Sequence, residues 1–146
     1  MKPRWAGLNA INDKNIEVIK RTSDQSITSN LPFPEVLKRL GEAQVESYFT
    51  DLCQREKTYY ASSGEAIVTQ MNTEPLGVVA EQFDGPAVKL AISDIQQRKT
   101  GYVDFLKRIV AAGTFAYTVR LRGKRAIYLG RTGDLHIEHF PVNGQS

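Results

Sequence analysis

A chain of 146 residues, 41% apolar and 24% charged, has the length and composition of one globular domain with a real core. No run approaches the roughly 20 apolar residues that cross a bilayer, and the start MKPRWAGLNAINDKN lacks the apolar centre of an export signal, so a cytoplasmic protein without a membrane partner is expected. The single cysteine, Cys53, excludes an intrachain disulfide and a multi-cysteine zinc site, and a net charge of +3 does not by itself mark a nucleic-acid binder.

In chain order, the first ten residues, with Pro3, Trp5 and Gly7, read as an irregular arm. Asn12 is placed to cap a short helix to about Arg21, with Ile11 and Ile16 as a hydrophobic staple. The polar stretch Thr22 to Asn30 (TSDQSITSN) reads as a loop. Pro32 and Pro34 then open a helix whose Val36, Leu37 and Leu40 share a face. After Ala43 the pattern changes to three β-rich runs, Val45 to Leu52, Lys57 to Ala61 and Glu65 to Met71, separated by polar turns.

Beyond Asn72 to Pro75, Leu76 to Ala80 suggests a further short extended strand. Asp84-Gly85-Pro86 starts a helix to about Arg98, because a carboxylate caps free N–H groups and proline suits the first turn. Its apolar face is expected to hold Ala87, Leu90, Ala91 and Ile95. Another helix begins at Tyr102, buries Phe105, Leu106, Ile109 and Val110, and stops at Gly113, where a left-handed cap is expected. Phe115, Tyr117, Val119 and Leu121 alternate with smaller or charged residues in a half-buried strand. Two more strands, Lys124 to Leu129 and Leu135 to Phe140, follow turns at Gly123 and Gly133, and the tail from Pro141 is expected to fray.

The chain contains an internal repeat. Sliding Phe33–Val68 by 69 positions onto Tyr102–Ile137 gives eight identities in 36 pairs, among them Leu37-Lys38-Arg39 with Leu106-Lys107-Arg108, Tyr48 with Tyr117, Tyr59 with Tyr128 and Gly64 with Gly133. The expected fold is therefore α+β. A single domain, 1–146, would hold a duplicated helix plus three-stranded antiparallel meander (about 33–71 and 102–140), with an N-terminal helical extension and the two apolar sheet faces packed on each other and on their helices.

Gln96-Gln97-Arg98-Lys99-Thr100-Gly101-Tyr102, Phe105 and Ala112-Gly113, with Phe33-Pro34, Leu40, Ser47-Tyr48 and Tyr59 or Tyr60 in the first copy, resemble the YbcV-like family of small bacterial proteins, some labelled phage envelope protein. The likeness runs from about Phe33 to Pro141 and departs at Glu42-Ala43-Gln44, where that family has a tighter turn before Ser-Tyr. It implies a compact α+β domain and brings no reaction, ligand or catalytic residue.

The residues themselves contain no nucleophile elbow, phosphate loop, zinc-helix or dinucleotide motif, so no catalytic residue, cofactor or metal is assigned. An enzyme is the less favoured class. His136 and His139, three apart on a strand, point to opposite faces and share no metal; only Glu138 joins His136. Cys53 beside Arg55 has no neighbouring base, which makes a reactive thiol a thin reading.

Two constellations remain. Ten Lys/Arg against Asp94 and Asp104 fall between Gly85 and Gly133, and Arg120, Arg122, Lys124, Arg125 and Arg131 cluster around one hairpin. With Arg120 and Arg122 on a shared side, that ribbon would grip an anionic macromolecule or acidic protein; the bland alternative is a charged edge guarding against aggregation. Tyr48, Tyr59, Tyr117 and Tyr128 lie on strands in repeat-equivalent pairs, and would either line a small-molecule cleft between the repeats or simply pack the core. A binding module using the basic hairpin, able to act as a homodimer, is the leading expectation, with the tyrosine cleft, binding or enzymatic, as the alternative.

Overall fold

The computed structural model describes residues 11–141, so the expected N-terminal arm with Trp5 and the tail beyond Pro141 lie outside it. Helices α1 (Asp13–Thr28) and α2 (Phe33–Glu42) precede strands β1 (Val45–Asp51), β2 (Glu56–Ala61) and β3 (Ala66–Gln70). Helices α3 (Gly85–Gln96) and α4 (Tyr102–Ala111) then precede β4 (Thr114–Arg120), β5 (Arg125–Gly130) and β6 (Leu135–His139). The fold is α+β, as its pattern of periods implied. Among the described residues no helix is long and apolar enough to cross a membrane.

The six strands form one antiparallel sheet in the order β3-β2-β1-β4-β5-β6. The two meanders therefore join side by side through β1 and β4, and do not pack face to face as the sequence suggested. Edge-to-edge joining satisfies the backbone groups of two strands that would otherwise be edges. The register carries the duplication in plain view: Phe49 pairs with Thr118, 69 positions on. Tyr48 with Val119 and Thr50 with Tyr117 lie symmetrically about that pair. An approximate two-fold axis thus passes through the middle of the sheet and exchanges the repeats.

The duplicated unit is also larger by one helix. Helix α1 runs on through Thr22–Thr28, which the sequence presented as a loop. It buries Ile19, Thr22, Ser23 and Ser26, and the same 69-residue shift sets these opposite Val88, Ala91, Ile92 and Ile95 of α3. Arg39 of α2 bonds Gln25 of α1, and the equivalent Arg108 of α4 bonds Asp94 of α3 at 2.8 Å. Polar composition hid the first helix because its buried face is made of hydroxyls. Thr22 Oγ1 donates to the Val18 carbonyl at 2.7 Å and Ser26 Oγ to the Thr22 carbonyl at 2.9 Å, while Ser23 reaches Thr69 of β3 at 2.9 Å. Each buried hydroxyl so finds a partner without breaking the helix.

The helix starts follow their sequence signals: Asn12 accepts from the Asn15 N–H at 2.8 Å and Asp84 from that of Ala87 at 3.0 Å. In α3 the buried face is turned by about one residue from the expected one, so Val88 and Ile92 go inside and Leu90 is 58% exposed. Leu76 to Ala80 joins no sheet; it runs past α4, with the Ala80 N–H on the Val110 carbonyl at 3.3 Å and that of Asp84 on the Ala112 carbonyl at 2.8 Å. Gly113 has φ +97, and a Cβ there would lie 2.5 Å from the Gln82 carbonyl oxygen. Only glycine allows this close passage.

Candidate functional site

The strand alternation sends Tyr48 and Thr50 of β1, Lys57 and Tyr59 of β2, Tyr117 and Val119 of β4, and Ala126 and Tyr128 of β5 to the side covered by helices. Cross-strand pairing brings four tyrosines into a chain of rings. Tyr59 to Tyr48 and Tyr117 to Tyr128 are each 5.3 Å between centroids, and Tyr48 to Tyr117 is 6.4 Å across the symmetry axis. These are ordinary aromatic contacts, with the rings tilted or offset. Tyr102, the first residue of α4, bonds its hydroxyl to that of Tyr117 and stacks on Phe105 at 6.2 Å.

Between this aromatic layer and the N-terminal ends of α2 and α4 lies a cavity of about 800 Å³. Its floor is Tyr48, Lys57, Tyr117, Val119, Ala126 and Tyr128; Phe33 and Leu37 of α2 and Tyr102 and Phe105 of α4 form its sides, and Lys124 and Glu138 its rim. Both the volume and the apolar, aromatic lining suit a small-molecule site. The cavity lies over the junction of the repeats, and Phe33 and Tyr102, both in its lining, are equivalent residues of the two copies.

Lys57 is the unusual member. It is 3% exposed, and among the described residues it forms no ion pair with any carboxylate. Its Nζ lies 4.7 Å from the centre of the Tyr102 ring and 5.5 Å from that of Tyr48, so ring quadrupoles face the ammonium. Burial disfavours the ammonium and brings the pKa down to about 7. Burial pushes the hydroxyls of Tyr48, Tyr102, Tyr117 and Tyr128 the other way, well past their ordinary range for all but Tyr117, where the raise is smaller. They stay protonated around neutrality and offer O–H groups to an occupant.

Of the tyrosines singled out from sequence, Tyr48, Tyr117 and Tyr128 line the cavity, whereas Tyr59 lies behind Tyr48, 2% exposed and beside Ser23 and Thr69. Lys57 and Tyr102 were missed. The signal for Lys57 was available: in Lys57-Thr58-Tyr59-Tyr60-Ala61 it shares the parity of Tyr59 and Ala61, and a cation on the buried parity of a strand is rare without purpose. Its repeat counterpart is Ala126, so packing alone does not require a lysine there.

The basic ribbon is divided. Arg120 and Arg125 pair on the face of the sheet away from the helices. Arg122 stands in the turn beyond β4, its side chain 80% exposed and 3.8 Å from Glu46. Lys124 turns to the cavity rim. Arg131 reaches the Val79 carbonyl at 3.4 Å, near a second, shallower hollow that also holds Cys53. Cys53 is exposed, with its N–H on the Asp51 carboxylate at 3.0 Å. His136 and Glu138 share a face and meet at 2.9 Å, and His139 points away. Among the described residues no three His, Cys, Asp or Glu side chains gather as a metal site.

No curated protein matches the chain at a significant level. The model of a family described as a protein of unknown function, DUF1398, matches residues 24–139, from within α1 to the end of β6, and the chain belongs to that family.

Proposed function

We propose that this protein binds a small, flat, largely apolar molecule carrying an acidic group, and that Lys57 supplies the counter-charge inside the cavity. The observation that carries the reading is a buried lysine, without a carboxylate partner among the described residues, in the wall of an aromatic cavity of about 800 Å³. An isolated buried ammonium is costly, and an anion beside it removes most of that cost. The ligand's ring would lie against Tyr48, Tyr117 and Tyr128, and the tyrosine O–H groups would orient its polar edge. The basic hairpin offers less support for an anionic macromolecule, because Lys124 turns to the cavity and Arg131 to the second hollow, away from Arg120 and Arg125. The YbcV-like resemblance, with its phage-envelope label, names no ligand and leaves the reading resting on the cavity.

The test uses benzoate and salicylate as acidic probes and benzyl alcohol as the neutral control, read as a shift in melting temperature at pH 7. Stabilisation by the acids alone, lost in Lys57→Met, supports the proposal. It is also expected that binding takes up a fraction of a proton at pH 8, because the bound anion draws Lys57 back to its charged form. Equal responses to acid and alcohol, or responses that survive Lys57→Met, would overturn it.

A further inference from the structure

Among the described residues the helices cover one side of the sheet and leave the other bare. On the bare side Val68, Thr58, Phe49, Thr118, Ile127 and Ile137 stand in direct register, one from each of the six strands. Val68, Ile137, Tyr60 and Leu135 are exposed there. An antiparallel sheet commonly faces water with one side, but that side is then mostly polar. This one carries Val68, Phe49, Ile127 and Ile137 in one row, with only the threonines Thr58 and Thr118 between them.

The charges flanking the row are arranged in a way that a solitary sheet face disfavours. Asp51 of β1 stands directly opposite Glu56 of β2, and Arg120 of β4 directly opposite Arg125 of β5. Like charges in facing cross-strand positions repel. The two pairs are equivalent under the 69-residue repeat, so the internal two-fold sets an acidic patch and a basic patch at diagonally opposite corners of the same face. The other diagonal runs from Tyr60 to Leu129, also repeat equivalents.

We propose that this face is the contact surface for a second copy of the chain. If the two faces meet about a two-fold axis along the Tyr60–Leu129 diagonal, the acidic pair of each copy lies over the basic pair of the other, and the apolar row is covered. The contact is isologous and self-complementary, as a closed dimer requires. The strands of the two sheets cross steeply, which is one of the two ordinary ways for sheets to pack. Each like-charge pair then faces a pair of opposite sign across the interface.

Sedimentation velocity at about 50 μM protein and low salt tests this. The wild-type chain is expected to sediment as a dimer, and Arg125→Glu and Glu56→Lys each as a monomer with an unchanged far-ultraviolet circular dichroism spectrum. Each variant neutralises one corner and leaves the other charged, so its own two copies no longer match, whereas mixing the two variants sets the intact acidic corner over the intact basic one and is expected to restore a dimer containing one of each. A monomeric wild-type chain, dimers indifferent to both substitutions, or a mixture that stays monomeric would overturn the proposal. So would a chain that dimerises only after removal of residues 1–10, since that segment would then be the occupant of the face.

Discussion

Gln44 and Gly113 occupy the same place in the two repeats, with φ of +73 and +97. Arg55 and Lys124 have φ of +56 and +52, and Gly64 and Gly133 +96 and +93. The backbone has thus kept its left-handed positions while the side chains on it have diverged. Inside, the first repeat is the more polar: α1 presents Thr22, Ser23 and Ser26 where α3 presents Ala91, Ile92 and Ile95, and Lys57 stands where the second repeat has Ala126. Outside, the signs reverse, with Asp51 and Glu56 against Arg120 and Arg125. Shared positions are those that shape turns and fill the core, and the differing ones supply charge to a cavity and to an open face. A duplicated fold can change its chemistry at such positions because the twin site continues to hold the frame.

The strongest way to break the equivalence is to exchange the residues at its left-handed positions. Gly113→Gln adds a Cβ 2.5 Å from the Gln82 carbonyl oxygen and 2.9 Å from Phe83 Cα, both backbone atoms that do not yield. A loss of about 3 kcal/mol or more is expected in urea unfolding. A cost under about 1 kcal/mol would mean that the Gln82–Phe83 segment is not held as described.

The next largest effect separates Lys57 from Ala126. With a pKa of about 7 in the folded chain and an ordinary value of 10.5 when unfolded, the unfolded state binds the extra proton throughout that window. Stability attributable to this residue therefore rises with pH from about 7 upward, by at most about 1.4 kcal/mol per unit, and the cost of burying the charge is greatest below pH 7. Lys57→Met should be more stable than the wild type at pH 6, and the difference should shrink as pH increases to 9. Parallel stability curves for the two proteins would show that Lys57 is hydrated and not buried.

The smallest effect is the converse of the first. Gln44 is exposed and pays a left-handed penalty that glycine avoids, partly offset by glycine's greater freedom when unfolded. Gln44→Gly is expected to raise stability by about 0.5–1 kcal/mol in the same assay. A loss instead would place a stabilising contact on the Gln44 side chain.

Much of the fold was legible because it is local. Alternation of Phe115, Tyr117 and Val119, the caps at Asn12 and Asp84, and the glycines at 64, 113 and 133 specify strands, helix starts and turns through short-range sterics and hydrogen bonding. The repeat itself is a property of the string. The second half of α1 was illegible for a definite reason: hydroxyls satisfied by carbonyls one turn back and by Thr69 are as buried as leucines, yet produce no hydrophobic period. The site was read in part. Tyrosines on strands are visible in sequence, but whether their rings line a space depends on where α2 and α4 end above them.

The sequence by itself determined the periods, the breaks between them and the doubling at 69 residues, since each arises from neighbours along the chain. Only the tertiary structure decided that β1 and β4 pair with Phe49 opposite Thr118. That pairing joins residues far apart in sequence and makes one sheet of two meanders. From it follow the cavity that places Lys57 among Tyr48, Tyr102 and Tyr117, and the open face that sets two like-charge pairs at opposite corners. Their energies come from burial and from distances across strands, which the order of residues does not contain.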